Sequence, residues 1–249
     1  MTPLRAARLK PGDILDGVEL IVFDKDGTLI EFHLMWGGWL EELARRLERE
    51  TGLALRDGLY PLLGVDQGSG MVLAHGLMAA TPMRRIREVV EAYVSDAGAA
   101  PGAASAAVER AWHAPDPVAL AQPITDLKAL LGRLRGRVPT FAVATSDDRG
   151  PTERTLVALG IAAEFGAISC ADDGRPTKPA PDPVLHLCAA LGVAPERTAV
   201  VGDAPADLRM ARAAGAGRAI AVLTGVGDRA ILEPLADVVL GSIEELAPA

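Results

Sequence analysis

Apolar residues along this chain follow two rhythms. Short continuous runs at Glu19 to Phe23, Val138 to Ala144, Thr198 to Val201 and Arg218 to Leu223 read as strands covered on both faces, with a weaker run at Gly166 to Cys170. Between them, apolar positions recur at helical spacing over Ile124 to Leu134, Pro151 to Leu159, Pro183 to Leu191 and Pro205 to Ala214. A short strand at Asp237 to Leu240 and a helix at Ser242 to Leu246 complete the series. Helices alternating with strands predict an α/β protein, a doubly wound parallel sheet with right-handed crossovers and helices on both faces.

Residues 31–120 break the alternation. Trp36 to Glu50 is amphipathic, with Trp36, Leu40, Leu43 and Leu47 on one face and Glu and Arg residues opposite, and Gly52 is a plausible stop. Further helices are expected from Pro82 to Ser95 and from Ala103 to Trp112, divided by joints at Gly64 to Gly76 and Ala97 to Gly102, and no strand is predicted before the cluster of Pro115, Pro117 and Pro123. The expected organisation is a core built from residues 1–30 and 121–249, with a helical domain of residues 31–120 inserted after the first strand.

Composition narrows the partners. With 25 basic and 33 acidic residues the formal charge is −8, which disfavours nucleic acid or an anionic membrane surface as the main partner. Cys170 and Cys188 are too few for a disulfide framework and lack zinc-site spacing. Neither a signal peptide in Met1 to Gly17 nor a run of about 20 apolar residues is found, so a soluble cytoplasmic protein is expected, as a monomer or homodimer.

The candidate chemistry sits where strands stop. Ile21-Val22-Phe23 ends in Asp24-Lys25-Asp26-Gly27-Thr28, two carboxylates one residue apart, at the sheet edge where ligands of open α/β sheets bind. Such a pair can hold a divalent cation, attack an electrophile or move a proton, although alone it also reads as a solvated turn. Phe141-Ala142-Val143-Ala144 ends in Thr145, with Ser146 as a second hydroxyl candidate. Val200-Val201-Gly202 ends in Asp203, and Asp207 follows in the first turn of a helix opened by Pro205. Lys178 lies in the stiff loop Pro176-Thr177-Lys178-Pro179-Ala180-Pro181-Asp182.

In their order and context these segments resemble the four motifs of the haloacid dehalogenase-like superfamily. The helical insertion resembles the cap of its phosphoglycolate phosphatase and β-phosphoglucomutase subgroup, and Thr177 to Asp182 is similar to that subgroup's Lys-Pro-x-Pro segment. The resemblance implies a Rossmann-like core and a phosphatase for a small phosphorylated metabolite. Asp24 would be nucleophile and Mg²⁺ ligand, and Asp26 would shuttle the proton while lending its carbonyl to Mg²⁺. Asp203 would complete the metal site, Thr145 and Lys178 would hold the phosphoryl group, and Asp207 would stand behind them. A phosphomutase on the same core is the alternative, and a non-catalytic regulatory protein is a weaker one because none of these residues is missing. A dehalogenase lacks the second acid, and a P-type pump has Thr at the position of Asp26 and needs membrane spans.

Gly27, Ser146, His33 and Arg84 are candidates for contacting substrate. The same His33 also reads as an ordinary half-buried histidine, and Arg84 with its neighbours as a wetted helix face. The aromatics Phe23, Phe32, Trp36 and Trp39 are expected to pack the first inserted helix against the core. Lys25 has no assigned role.

Overall fold

The computed structural model describes residues 13–247 apart from 74–75, 82, 101, 114–117 and 119, and of residues 79 and 80 it describes the backbone only. The expected helix start at Pro82, the prolines at 115 and 117, and most of the N-terminal segment therefore lie outside the described residues. The chain divides into two compact units, Met1–Phe32 with Pro117–Ala249, and His33–Asp116.

In the first unit six parallel strands run in the order β3-β2-β1-β4-β5-β6. They are β1 (Leu20–Phe23), β2 (Thr140–Ala144), β3 (Ala167–Ser169), β4 (Thr198–Gly202), β5 (Arg218–Val222) and β6 (Val238–Leu240). This is the α/β doubly wound sheet the alternation predicts. Side chains of β1 point alternately to opposite faces, so Ile21 and Phe23 enter one apolar core and Leu20 and Val22 the other. The first core is closed by Leu127, Leu130, Leu131 and Leu134 of α6 (Leu127–Arg135) and Leu156 of α7 (Arg149–Ala158). The second is closed by Val184 and Leu187 of α8 (Asp182–Leu191) and Leu208 and Ala211 of α9 (Pro205–Ala213). Burial on both faces explains why these strands read as unbroken apolar runs.

Local sequence sets the helix ends. The Asp126 carboxylate accepts from the Ala129 N–H and starts α6 three residues later than the apolar pattern suggests. Gly192 closes α8 in the left-handed conformation. A short helix, α10 (Arg229–Leu232), begins where Asp228 accepts from Ile231 N–H; the apolar pattern does not show it. The final predicted helix is a 3-10 turn over Ile243–Leu246.

The second unit is helical as expected. It contains most of α1 (Phe32–Thr51), then α2 (Arg56–Leu63), α3 (Leu77–Ala80), α4 (Met83–Asp96) and α5 (Ala103–Ala111). Neither α2 nor α3 is predicted, since α2 carries Gly58 and Pro61 and α3 is a single turn. Val65 and Val72 form one isolated antiparallel bridge. Phe23 meets Phe141 and Phe165 edge-on in the sheet unit, whereas Trp39 packs edge-on with Trp36 and Trp112 in the helical unit. The Trp39 indole N–H also donates to the His113 carbonyl at 2.9 Å.

Leu131 is wholly buried between α6 and the sheet. Leu131→Ala is expected to lower unfolding free energy by about 2–5 kcal/mol in urea titration, the cost of lost burial plus a cavity.

Candidate active site

Register brings the strand ends together. Phe23 pairs with Val143 on one side and Val201 on the other, so the residues that leave β1, β2 and β4 emerge side by side. Asp24 N–H donates to the Val201 carbonyl at 2.8 Å, and Thr145 N–H to the Ser169 carbonyl at 2.9 Å. Three carboxylates converge there: those of Asp24, Asp203 and Asp207 offer oxygens within 4.8 Å of one another. Lys178 joins them from the loop before α8, its ammonium 2.5 Å from Asp24 Oδ1 and 2.6 Å from Asp207 Oδ1. Asp207 is held at its other oxygen, which accepts from Ala204 N–H at 3.0 Å and caps α9.

Backbone without side chains makes this packing possible. Gly27 has φ +83, and a Cβ there would stand 2.5 Å from Asp203 Oδ2; a Cβ on Gly225 would also collide with that carboxylate. Asp203 is thus enclosed by glycine backbone. Its Oδ2 accepts from Val226 N–H at 2.8 Å, and its Oδ1 accepts from the Thr28 hydroxyl at 3.3 Å. Thr224 donates from its hydroxyl to the Gly27 carbonyl at 2.6 Å, tying the loop after β5 to the loop after β1.

The electrostatics show more acid than cation. Burial raises the Asp203 carboxyl well above its ordinary 3.8, and the carboxylates of Asp24 and Asp207 push it the same way. Burial also raises Asp24, with the Lys178 ammonium pulling against it. For Lys178 burial disfavours the charge, but Asp207 and Asp24 outweigh it and hold the ammonium above 10.5. Three hard oxygen donors facing one ammonium suit a divalent cation such as Mg²⁺, which prefers carboxylate oxygens.

Beside this cluster lies a second one. Lys25 is buried, with its Nζ 2.6 Å from each oxygen of Asp26 and 2.9 Å from Asp147 Oδ2. Burial pushes the Asp26 carboxyl up to about 6, against the pull of Lys25 and with a push from Asp147. Thr145 is buried, and its hydroxyl accepts from Asp147 N–H at 3.1 Å.

Among the expected residues, the structure brings Asp24, Asp203, Asp207 and Lys178 into one cluster and Asp26 into the neighbouring one. Thr145 sits at the end of β2, and Ser146 is exposed next to it. Gly27 contributes backbone only. His33 and Arg84 belong to the helical unit, where His33 Nδ1 accepts from Val72 N–H at 3.1 Å and Arg84 reaches Glu88 at 3.7 Å from an exposed position. Sequence reasoning includes Thr28 in the first motif without giving it a partner, and it misses the contacts of Asp147 and the loop Thr224-Gly225-Val226. The signal for that loop was available, since a glycine-containing turn follows the apolar run of β5 as one follows β1.

Residues 18–215 match the model of the haloacid dehalogenase-like hydrolases. The phosphoglycolate phosphatase of Rhodospirillum rubrum is 32% identical over 195 residues, covering 78% of this chain and 76% of that protein. The phosphoglycolate phosphatase of Chromobacterium violaceum is 42% identical over 116 residues, 47% of this chain and 51% of that one. In fold, a HAD-superfamily hydrolase of subfamily IA from Geobacter sulfurreducens superposes with a TM-score of 0.66 at 19% identity, covering 92% of this chain and 95% of that one.

Removing the Lys178 ammonium leaves Asp24 and Asp207 withdrawn from water without their cation. In the metal-free protein, Lys178→Met is expected to cost roughly 3–5 kcal/mol of unfolding free energy at pH 8, read by urea titration in EDTA.

Proposed function

The chain belongs to the haloacid dehalogenase-like hydrolases, and from that membership we propose that it is a Mg²⁺-dependent phosphatase that cleaves a phosphoglycolate-like or sugar phosphate through an aspartyl-phosphate. Family and relatives support a phosphoric monoester hydrolase similar to the phosphoglycolate phosphatases. The finer reading is supported above all by one observation: the Asp24, Asp203 and Asp207 carboxylates meet the Lys178 ammonium at the ends of β1 and β4.

In this reading Asp24 attacks phosphorus in line with the leaving oxygen. Its bond to phosphorus forms as the ester P–O bond breaks, which divides a difficult hydrolysis into two easier transfers. Lys178 fixes the orientation of the Asp24 carboxylate before reaction, and with the Thr145 hydroxyl it offsets charge on the equatorial phosphoryl oxygens. Asp26 gives a proton to the leaving oxygen and then takes one from the water that attacks the phospho-aspartate. A carboxyl raised to about 6 holds and releases a proton near neutral pH. Asp24, Asp203 and the Asp26 carbonyl are the groups that would hold Mg²⁺, whose charge when bound screens the carboxylates from the incoming phosphate. Asp207 orients Lys178.

Activity measurements test the reading. Purified protein with Mg²⁺ is expected to hydrolyse 4-nitrophenyl phosphate and, in a panel of phosphorylated metabolites, to favour phosphoglycolate-like or sugar phosphates. EDTA and Asp24→Asn should each reduce the rate to background, and an undiminished rate in Asp24→Asn overturns the nucleophile. Asp26→Ala is expected to lower kcat on the preferred metabolite by about 10²-fold or more, and normal turnover removes Asp26 from the proton path.

A further inference from the structure

Lys25 has no part in the proposed chemistry, yet it is among the most deeply buried large side chains of the described residues, at 1% exposure. Lysines are almost never withdrawn to this degree unless paired. The pairing here is unusual in its direction: one ammonium spans both oxygens of Asp26 and one oxygen of Asp147. Contact with both oxygens keeps the Asp26 carboxylate turned toward the ammonium, and the further contact with Asp147 ties that ammonium to a second loop.

The backbone around Lys25 is already secured without its side chain. Its carbonyl accepts from Leu29 N–H at 2.8 Å and Ile30 N–H at 3.0 Å, contacts available to any residue at this position. Where only packing is needed, an apolar side chain of similar volume does as well as a buried ion pair or better. The charge at Lys25 therefore calls for another explanation. Asp147, the far end of the clamp, donates its N–H to the Thr145 hydroxyl and accepts at its carbonyl from Ala171 N–H, so it belongs to the loop that presents Thr145.

We propose that Lys25 is a positioning residue that holds the Asp26 carboxylate at its working angle toward the leaving oxygen and locks it to the loop carrying Thr145. This rests on the acid role proposed for Asp26. Loss of the clamp therefore harms substrates in proportion to how much their leaving oxygen needs a proton.

The test compares kcat/KM, with Mg²⁺, for 4-nitrophenyl phosphate, whose leaving group departs readily as an anion, and phenyl phosphate, whose more basic leaving oxygen needs the proton. Lys25→Met is expected to raise the ratio of the two values about tenfold over wild type, because the phenyl ester loses more of its acid catalysis. Asp147→Asn, at a half-exposed position that leaves the ammonium in place, is expected to move the ratio in the same direction by a smaller factor. Equal losses on both esters in these variants overturn the proposal and leave Lys25 a structural residue. If Lys25→Met fails to fold, Asp147→Asn decides by the same criterion. Asp26→Asn separates the two readings: an unchanged ratio there removes the acid role itself, whereas a raised ratio there with equal losses in the Lys25 and Asp147 variants overturns only the clamp.

Discussion

Compensation of buried negative charge is the constraint on which this molecule depends. Asp24, Asp203 and Asp207 are gathered at the ends of β1 and β4, and Asp26 lies a residue away with Asp147. Gathered carboxylates repel one another, and withdrawal from water weakens the screening that would relieve them. Two lysines answer this, Lys178 for the first group and Lys25 for the second. Neither lysine neutralises its group fully, so the site retains excess negative charge that a divalent cation can offset.

The sheet makes the gathering possible and the glycines make it close. Parallel pairing aligns every strand in one direction, so the loops that follow β1, β2, β4 and β5 all emerge on a single edge. Gly27 and Gly225 then let backbone approach Asp203 more closely than any side chain allows. Gly202 does the same for Asp207, since a Cβ at Gly202 would stand 2.4 Å from the Asp207 side chain. Positioning is therefore a property of the backbone as much as of the acids.

The sequence revealed what rests on contiguous pattern. Strand runs buried on both faces, each ending in a polar residue, disclosed β1, β2 and β4 together with Asp24, Thr145 and Asp203. What depends on distant pairing stayed hidden. A lysine between two aspartates looks like a solvated turn until Asp147 arrives from another strand end, and the Val226 N–H gives no sign in sequence that it meets Asp203. Helix α2 was hidden for a different reason: Gly58 and Pro61 are poor helix formers, and burial of Leu59, Tyr60 and Leu63 overrides them.

One backbone detail concerns how such a chain can change over generations. Leaving β1, the chain passes Leu29, Ile30 and Glu31 and returns beside them: Ile124 N–H donates to the Leu29 carbonyl at 3.1 Å, Glu31 N–H donates to the Gln122 carbonyl at 2.8 Å, and Ile30 bridges Pro123. The two ends of the intervening segment are therefore strapped to each other within the sheet unit. Everything between them can lengthen, shorten or be exchanged by recombination while the two attachment points stay fixed, and the entropic cost of a longer excursion grows only slowly with length. That strap makes the helical segment a cassette, open to exchange while the carboxylates gathered at the strand ends keep their backbone.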